Sequence, residues 1–205
     1  MCVRAEHFFW LAGFLCLSVA GAAIVESRVY QSLESAAFDR ARESRTGAEV
    51  PRSGGYPRSS SRPARSVLGR IEIPRLGIRA MVREGMDDET LKVAVGHIPG
   101  TARPGEAGNI GLAAHRDTFF RALRGVRRGD VMRLTTLDGS ETYRVASASV
   151  VDPDRVDLLR GADGTKALTL VTCFPFDWIG DAPKRFVVAA LPAGDAGRGG
   201  SRTLP

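Results

Sequence analysis

Thr169-Leu170-Val171-Thr172-Cys173 is an apolar, β-branched run that ends on a thiol. Branching at Cβ stiffens the side chain and suits a pleated, packed surface, so the run reads as a buried strand delivering Cys173 to its end. The chain has three cysteines, and the other two, Cys2 and Cys16, lie in or beside a hydrophobic N-terminal segment. If that segment crosses a membrane with its N-terminus inside, Cys173 is the only thiol on the far side. It then has no partner for a structural disulfide, and a free thiol at a strand end asks for a chemical explanation.

Outward from this run the patterns favour strands. Arg70-Ile71-Glu72-Ile73 alternates polar and apolar residues before Pro74, and residues 78–82 continue after a glycine. Residues 109–114 form a short apolar run after Gly108, and residues 131–134 and 141–151 flank the Asp138-Gly139 turn signal of a hairpin. Residues 167–172 and 185–191 complete the set. Short helical turns fit residues 88–93, 118–123 and 154–160. Many short strands with Gly and Pro between them imply an all-β barrel or sandwich, one domain with one core over residues 67–192.

The N-terminal third has a different character. Residues 8–25, FFWLAGFLCLSVAGAAIV, carry no charge and lie between Glu6 and Glu26. As a helix they cover about 27 Å, enough for the hydrocarbon core of a bilayer. Phe8, Phe9 and Trp10 sit at one end, where aromatic side chains anchor at the interface. Ala20-Gly21-Ala22 offers the alternative of a cleaved signal peptide, but the apolar run is long and only Arg4 and the terminal amine precede it. The expectation is a short tail (1–7) and an uncleaved transmembrane helix (8–25), a single pass through the plasma membrane with the remaining chain extracytoplasmic.

Residues 26–66 are rich in Arg, Ser, Gly and Pro and read as a basic flexible linker, although residues 27–45 could prolong the helix. This stretch largely explains the net charge of +6, and residues 193–205 read as a disordered tail. On an exported chain a basic linker means proximity to acidic lipid or wall polymer. Without interleaved aromatics or a nucleic-acid motif, no nucleic-acid partner is expected.

A thiol does little chemistry unless its thiolate is available and a proton can reach the leaving group. Of the three histidines, His7 lies at the membrane, leaving His97 and His115. His115 follows a strand-like run as Cys173 does, whereas His97 is expected to be structural. Arg185 begins the strand after the cysteine, where a guanidinium could hold a carbonyl or an oxyanion. Taken singly, a strand cysteine is ordinarily core, a lone histidine structural and a strand-start arginine surface charge. Their order and local contexts together carry the chemical reading.

Those contexts resemble the sortase family. The segment Gly108-Asn109-Ile110-Gly111-Leu112-Ala113-Ala114-His115-Arg116-Asp117-Thr118-Phe119-Phe120 is similar to the family's histidine motif. Thr169-Leu170-Val171-Thr172-Cys173 resembles its TLxTC motif, and Ala182-Pro183-Lys184-Arg185-Phe186-Val187-Val188 its arginine strand. Gly96-His97-Ile98-Pro99-Gly100-Thr101 resembles a further recurrent segment, and Cys173-Phe174-Pro175-Phe176-Asp177-Trp178-Ile179-Gly180 is most like class D sortases. Ala114 departs from the pattern, standing where many relatives carry glycine.

The resemblance implies an all-β, eight-stranded sortase-type β-barrel with short helices behind the transmembrane segment, and a cysteine transpeptidase. Cys173 would be the nucleophile, His115 the general acid and base, and Arg185 the group that orients substrate and steadies the oxyanion. The substrate would be a secreted protein with an LPxTG-like sorting signal, cleaved between Thr and Gly. The acceptor would be an amine, typically of a peptidoglycan precursor. Hydrolysis of the same peptide without transfer is the alternative. Thr172, beside the nucleophile, serves equally as a substrate contact or as a plain β-branched strand residue, and Trp178, in the loop after it, is a candidate edge of the active-site groove. Val156, Leu158 and Leu159 serve equally as walls of an apolar pocket or as core, and Phe119 and Phe120 as core or groove wall. No cofactor is implied, and no compact acidic cluster calls for a metal.

Overall fold

The computed structural model describes residues 2–46, 66–160 and 165–194. Eight strands close into a barrel: β1 (Val67–Ile73), β2 (Ile78–Glu84), β3 (Val95–His97), β4 (Asn109–Ala113), β5 (Val131–Thr135), β6 (Ser140–Val151), β7 (Ala167–Phe174) and β8 (Lys184–Pro192). Their order around the barrel is β1-β2-β3-β4-β7-β8-β6-β5. The β2–β3 and β4–β7 pairs are parallel and the others antiparallel. Closure removes the unpaired sheet edges that an open sheet would have to protect.

Alternation along each strand fills the interior. Ile71 and Ile73, Ala80 and Val82, Ile110 and Leu112, Leu168 and Leu170, and Val188 and Ala190 all join one buried cluster. Strands β4 and β7 are apolar on both faces because loops cover their outer sides, which is why their sequences read as continuous apolar runs. At Gly111 an added Cβ would come within 2.9 Å of Thr101 Cγ2, so the β3–β4 connection packs directly on the strand.

The seven strands read from the sequence are present, and β3 is the addition. It is three residues long, too short to show a period of two. Helix α2 (Asp88–Val93) forms where expected, started by the Asp87 side chain accepting from the Thr90 amide at 3.0 Å. The other two helical turns are 3-10, at Arg121–Gly125 and Val156–Leu159. Near the first of these, Asp130 accepts from the Arg75 guanidinium and from the Arg127 amide, at 2.8 Å for the latter. The Arg75 hydrogen bond is the main cause holding the Asp130 carboxyl below the usual carboxylate range.

The linker expectation needs correcting. Helix α1 (Cys2–Thr46) is one continuous element, so residues 27–46 are helical rather than flexible. Its second half is docked on the barrel. Phe38 is buried, Arg70 on β1 donates to Asp39 at 2.8 Å and to Ser35 Oγ at 3.1 Å, and the Gln31 amide joins the Val93 carbonyl to the Met81 amide. Composition pointed to a linker because the anchoring side chains are polar. They find partners on β1 and β2 that no local pattern announces. The rest of the expected linker, residues 47–65, and residues 195–205 of the expected tail lie outside the described residues.

Along the first half of α1, Phe9, Trp10, Leu11, Phe14, Leu15 and Leu17 are exposed. Among the described residues no helix is long and apolar enough to cross a membrane. The side chains of Phe8, Val19, Ala20, Ala23 and Ile24, all within the apolar run, are not among those described.

Candidate active site

Register brings three distant side chains into one row. In the parallel β4–β7 pair Asn109 stands opposite Ala167 and Ala113 opposite Val171. Two contacts carry this register past the end of β4: the Ala114 amide donates to the Val171 carbonyl at 3.3 Å, and Thr172 Oγ1 donates to the Ala114 carbonyl at 2.7 Å. One further step sets His115 beside Cys173. On the other side, antiparallel pairing puts Arg185 of β8 directly opposite Cys173. Neighbouring strands lie about 4.8 Å apart, so the row His115–Cys173–Arg185 spans the outer face of three adjacent strands.

Alternation decides which way each side chain points. Leu168, Leu170 and Thr172 are buried in the interior, which turns Cys173 outward, and its thiol is free and partly exposed. Val188 and Ala190 likewise face in, placing Arg185 on the outer side. Arg185 Nη1 donates to the carbonyls of Ala182 at 3.1 Å and Lys184 at 3.0 Å, two bonds that restrain the guanidinium at the start of β8. Among the described residues no hydrogen bond engages the Cys173 thiol or the His115 ring. Below the row, the Phe174, Phe176 and Phe186 rings pack with centroids 5.3 to 6.3 Å apart.

Two connections rise beside the row. Arg116, next to His115, donates from one Nη2 to the carbonyls of Trp178 at 2.7 Å and Gly180 at 2.9 Å. It thereby holds the β7–β8 connection, in which Trp178 is half-exposed and Ile179 fully so. The β6–β7 connection carries the 3-10 turn Val156–Leu159, which is held by Asn109: its Nδ2 donates to the carbonyls of Leu158 and Leu159, at 3.3 and 3.1 Å. Val156 is exposed, and none of Val156, Leu158 and Leu159 is core.

Thr172 is a correction. Its side chain is 3% exposed and bonded to Ala114, so it faces the barrel and is not available to a substrate on the outer face. Its visible effect is to tie β7 to the chain just before His115. His97 is buried, with Nδ1 2.9 Å from Glu84 Oε1 and Nε2 near Ala102 O and Thr101 Oγ1. It braces the β3–β4 connection and stands outside the row. Phe120 is buried core and Phe119 packs partly against it. Arg116 and Asn109 were not singled out in the sequence. The signals were there in principle: a polar side chain opening an apolar run, and a second basic residue directly after the histidine.

A row of thiol, imidazole and guanidinium on an eight-stranded barrel can be matched with known proteins. The Sortase domain family model matches residues 71–193. The chain belongs to the sortase family. Sortase D of Bacillus subtilis (strain 168) is 36% identical over 120 residues, covering 58% of this chain and 61% of that protein. This chain therefore spans less than two thirds of that relative's length. Among solved structures, a Clostridium perfringens Sortase D5 transpeptidase matches with TM-score 0.56 and 29% identity, over 62% of this chain and 78% of that one. Sortase C from Clostridium perfringens SM101 matches with TM-score 0.56 and 34% identity, over 62% and 70%. The closed barrel expected for a sortase is thus present. Among the described residues no three His, Cys, Asp or Glu side chains gather as a metal site.

Proposed function

We propose that this sortase-family chain is a cysteine transpeptidase acting on an LPxTG-like sorting signal of secreted proteins. The observation that carries the reading is the single row His115–Cys173–Arg185, assembled by strand register from three separate segments. Members of the family are cysteine transpeptidases, and the row has the parts such a reaction needs.

Cys173 passes its thiol proton to His115 and its Sγ attacks the Thr carbonyl carbon, while Arg185 steadies the negative charge that develops on the carbonyl oxygen. The Thr–Gly C–N bond breaks as His115 gives a proton to the departing amine, leaving the acyl group on Sγ as a thioester. An incoming amine, of a peptidoglycan precursor, then attacks the thioester carbonyl. His115 takes its proton, the C–S bond breaks, and transfer of that proton from His115 to Sγ restores the thiol. If water replaces the amine, the product is the hydrolysed peptide.

The same reading makes the first half of α1 a membrane anchor, single-pass, with the barrel on the extracytoplasmic side. Its support is the row of large apolar side chains that the helix leaves exposed from Phe9 to Leu17, which an aqueous surface does not favour. The test uses a fluorogenic sorting peptide with and without an added amine. Wild-type protein is expected to cleave the peptide and to yield the amide product. Cys173→Ala should lose both activities and the covalent adduct with a sorting-signal analogue. Cleavage that never yields an amide at any amine concentration would instead establish a hydrolase.

A further inference from the structure

The β1–β2 and β4–β5 connections meet and leave a hollow between them. Arg75 fastens the two together: its guanidinium is held by the buried Asp130 carboxylate, and its Nη2 donates to the Gly125 carbonyl at 2.6 Å. Between these connections lies a pocket of about 460 Å³, within the usual range for small-ligand sites. None of His115, Cys173 and Arg185 lines it, so it is separate from the row.

Its floor is apolar and its rim is cationic. Ile78 and Ala80 are buried, and Phe119 packs partly against the core. Arg79, Arg121 and Arg124 also line the pocket, and no carboxylate does. Local structure puts the arginines there. Arg121 and Arg124 are three apart on the 3-10 turn Arg121–Gly125, and side chains at that spacing eclipse. Leu123, between them in sequence, is fully buried, which leaves both arginines on the exposed side of the turn.

The protein answers these three charges weakly. Arg79 lies 3.4 Å from Glu72 and 3.8 Å from Asp39, both looser than a good hydrogen bond. Arg124 pairs at 3.0 Å with the exposed Asp177, and such a surface pair contributes little and can give way to a stronger acceptor. Arg121 has neither a hydrogen bond nor an ion pair among the described residues. Like charges gathered around a hollow repel one another, and an anion placed among them reverses that repulsion. One carboxylate would satisfy one guanidinium. A phosphoryl group offers three oxygens and about two charges, which planar guanidinium forks bind in pairs.

We propose that this pocket binds a phosphoryl group carried on an apolar stem. The stem lies on the floor beside Phe119, and the phosphoryl oxygens face Arg121 and Arg124, with Arg79 completing the rim. The site goes beyond the transpeptidase reading and does not depend on it.

The test is calorimetric titration of the full chain in neutral detergent. Wild-type protein is expected to bind hexyl phosphate, and to bind methyl phosphate at least tenfold more weakly because the stem is lost. Hexanol, which lacks the phosphoryl group, should not bind measurably. Arg121→Ala should weaken hexyl phosphate binding about tenfold and Arg121→Glu about a hundredfold. Both variants should melt near the wild-type temperature, since Arg121 has no protein partner to lose. Dihexanoyl phosphatidylglycerol presents the same group as a lipid headgroup. Whichever of it and hexyl phosphate binds more tightly, with that binding lost in Arg121→Glu, upholds the site and names the source as a bilayer or a soluble phosphate. Equal binding by wild type and Arg121→Glu would overturn the proposal, as would hexanol binding as tightly as hexyl phosphate. Failure of both phosphates to bind at millimolar concentration would overturn it too.

Discussion

The outer faces of the barrel at β1–β2 and at β4–β7–β8 are built alike and finished differently. In the ring of eight strands β1 and β2 stand opposite β7 and β8. On the first face α1 supplies partners for long side chains: Arg70 meets Asp39 and Ser35 and lies 5.6 Å from the Phe38 ring centroid, while Arg83 lies 5.2 Å from that of Tyr30. Met81, opposite Arg70 in the register, is fully buried there although it points out of the barrel. On the second face Cys173 and His115 carry a thiol and an imidazole that no protein group hydrogen-bonds among the described residues. One face is satisfied by the chain's own helix. The other keeps its reactive groups unpartnered, which is what a face prepared for a substrate requires. Docking α1 on the back also keeps it clear of the groove.

Mutations on the two faces should therefore separate activity from stability. The largest effect is expected from His115→Ala, which removes the proton donor and acceptor from the row. The turnover number should fall by about a thousandfold, while the melting temperature stays near wild type. A fall of less than tenfold, with an intact fold, would show that the row is not the proton-transfer machinery. On the opposite face Phe38→Ala should do the reverse. Deleting a ring that is 5% exposed, and with it the contact to Arg70, should cost about 3 kcal/mol, read by urea denaturation. Its kcat/KM should remain within about twofold of wild type. Loss of activity in step with stability would mean that the two faces are coupled through the barrel.

How far each face was legible follows from the range of the interactions that make it. The row could be read because each member sits in a local pattern: an apolar run ending on Cys173, another ending at His115, and Arg185 opening the next strand. Their meeting required only that these strands be neighbours. The docked half of α1 could not be read in this way. Arg, Ser and Gln side chains look like a solvated linker until Arg70 and Met81, tens of residues away, are brought against them. Thr172 was misplaced for a related reason. Adjacency to Cys173 in sequence means opposite faces in a strand, and the alternation that turned the thiol out turned the hydroxyl in. Strand β3 escaped notice because three residues hold no period.

The smallest effect tests the most specific feature of the back face. Strand β3 begins opposite Val82, so at Met81 the outer edge of β2 has no strand beside it. Gln31 fills that place: its Oε1 accepts from the Met81 amide at 2.9 Å and its Nε2 donates to the Val93 carbonyl at 2.6 Å. A side-chain amide offers one donor and one acceptor, as a peptide group does, so it substitutes for a strand neighbour at the point where one is lacking. Gln31→Ala should cost about 1 kcal/mol, since water can replace part of what is lost. The Met81 amide should exchange faster, and kcat/KM should be unchanged. Gln31→Glu separates the two bonds, because a carboxylate still accepts from Met81 but repels the Val93 carbonyl. Stability equal to wild type in Gln31→Glu would mean that the Val93 bond contributes nothing to holding α1 on the barrel.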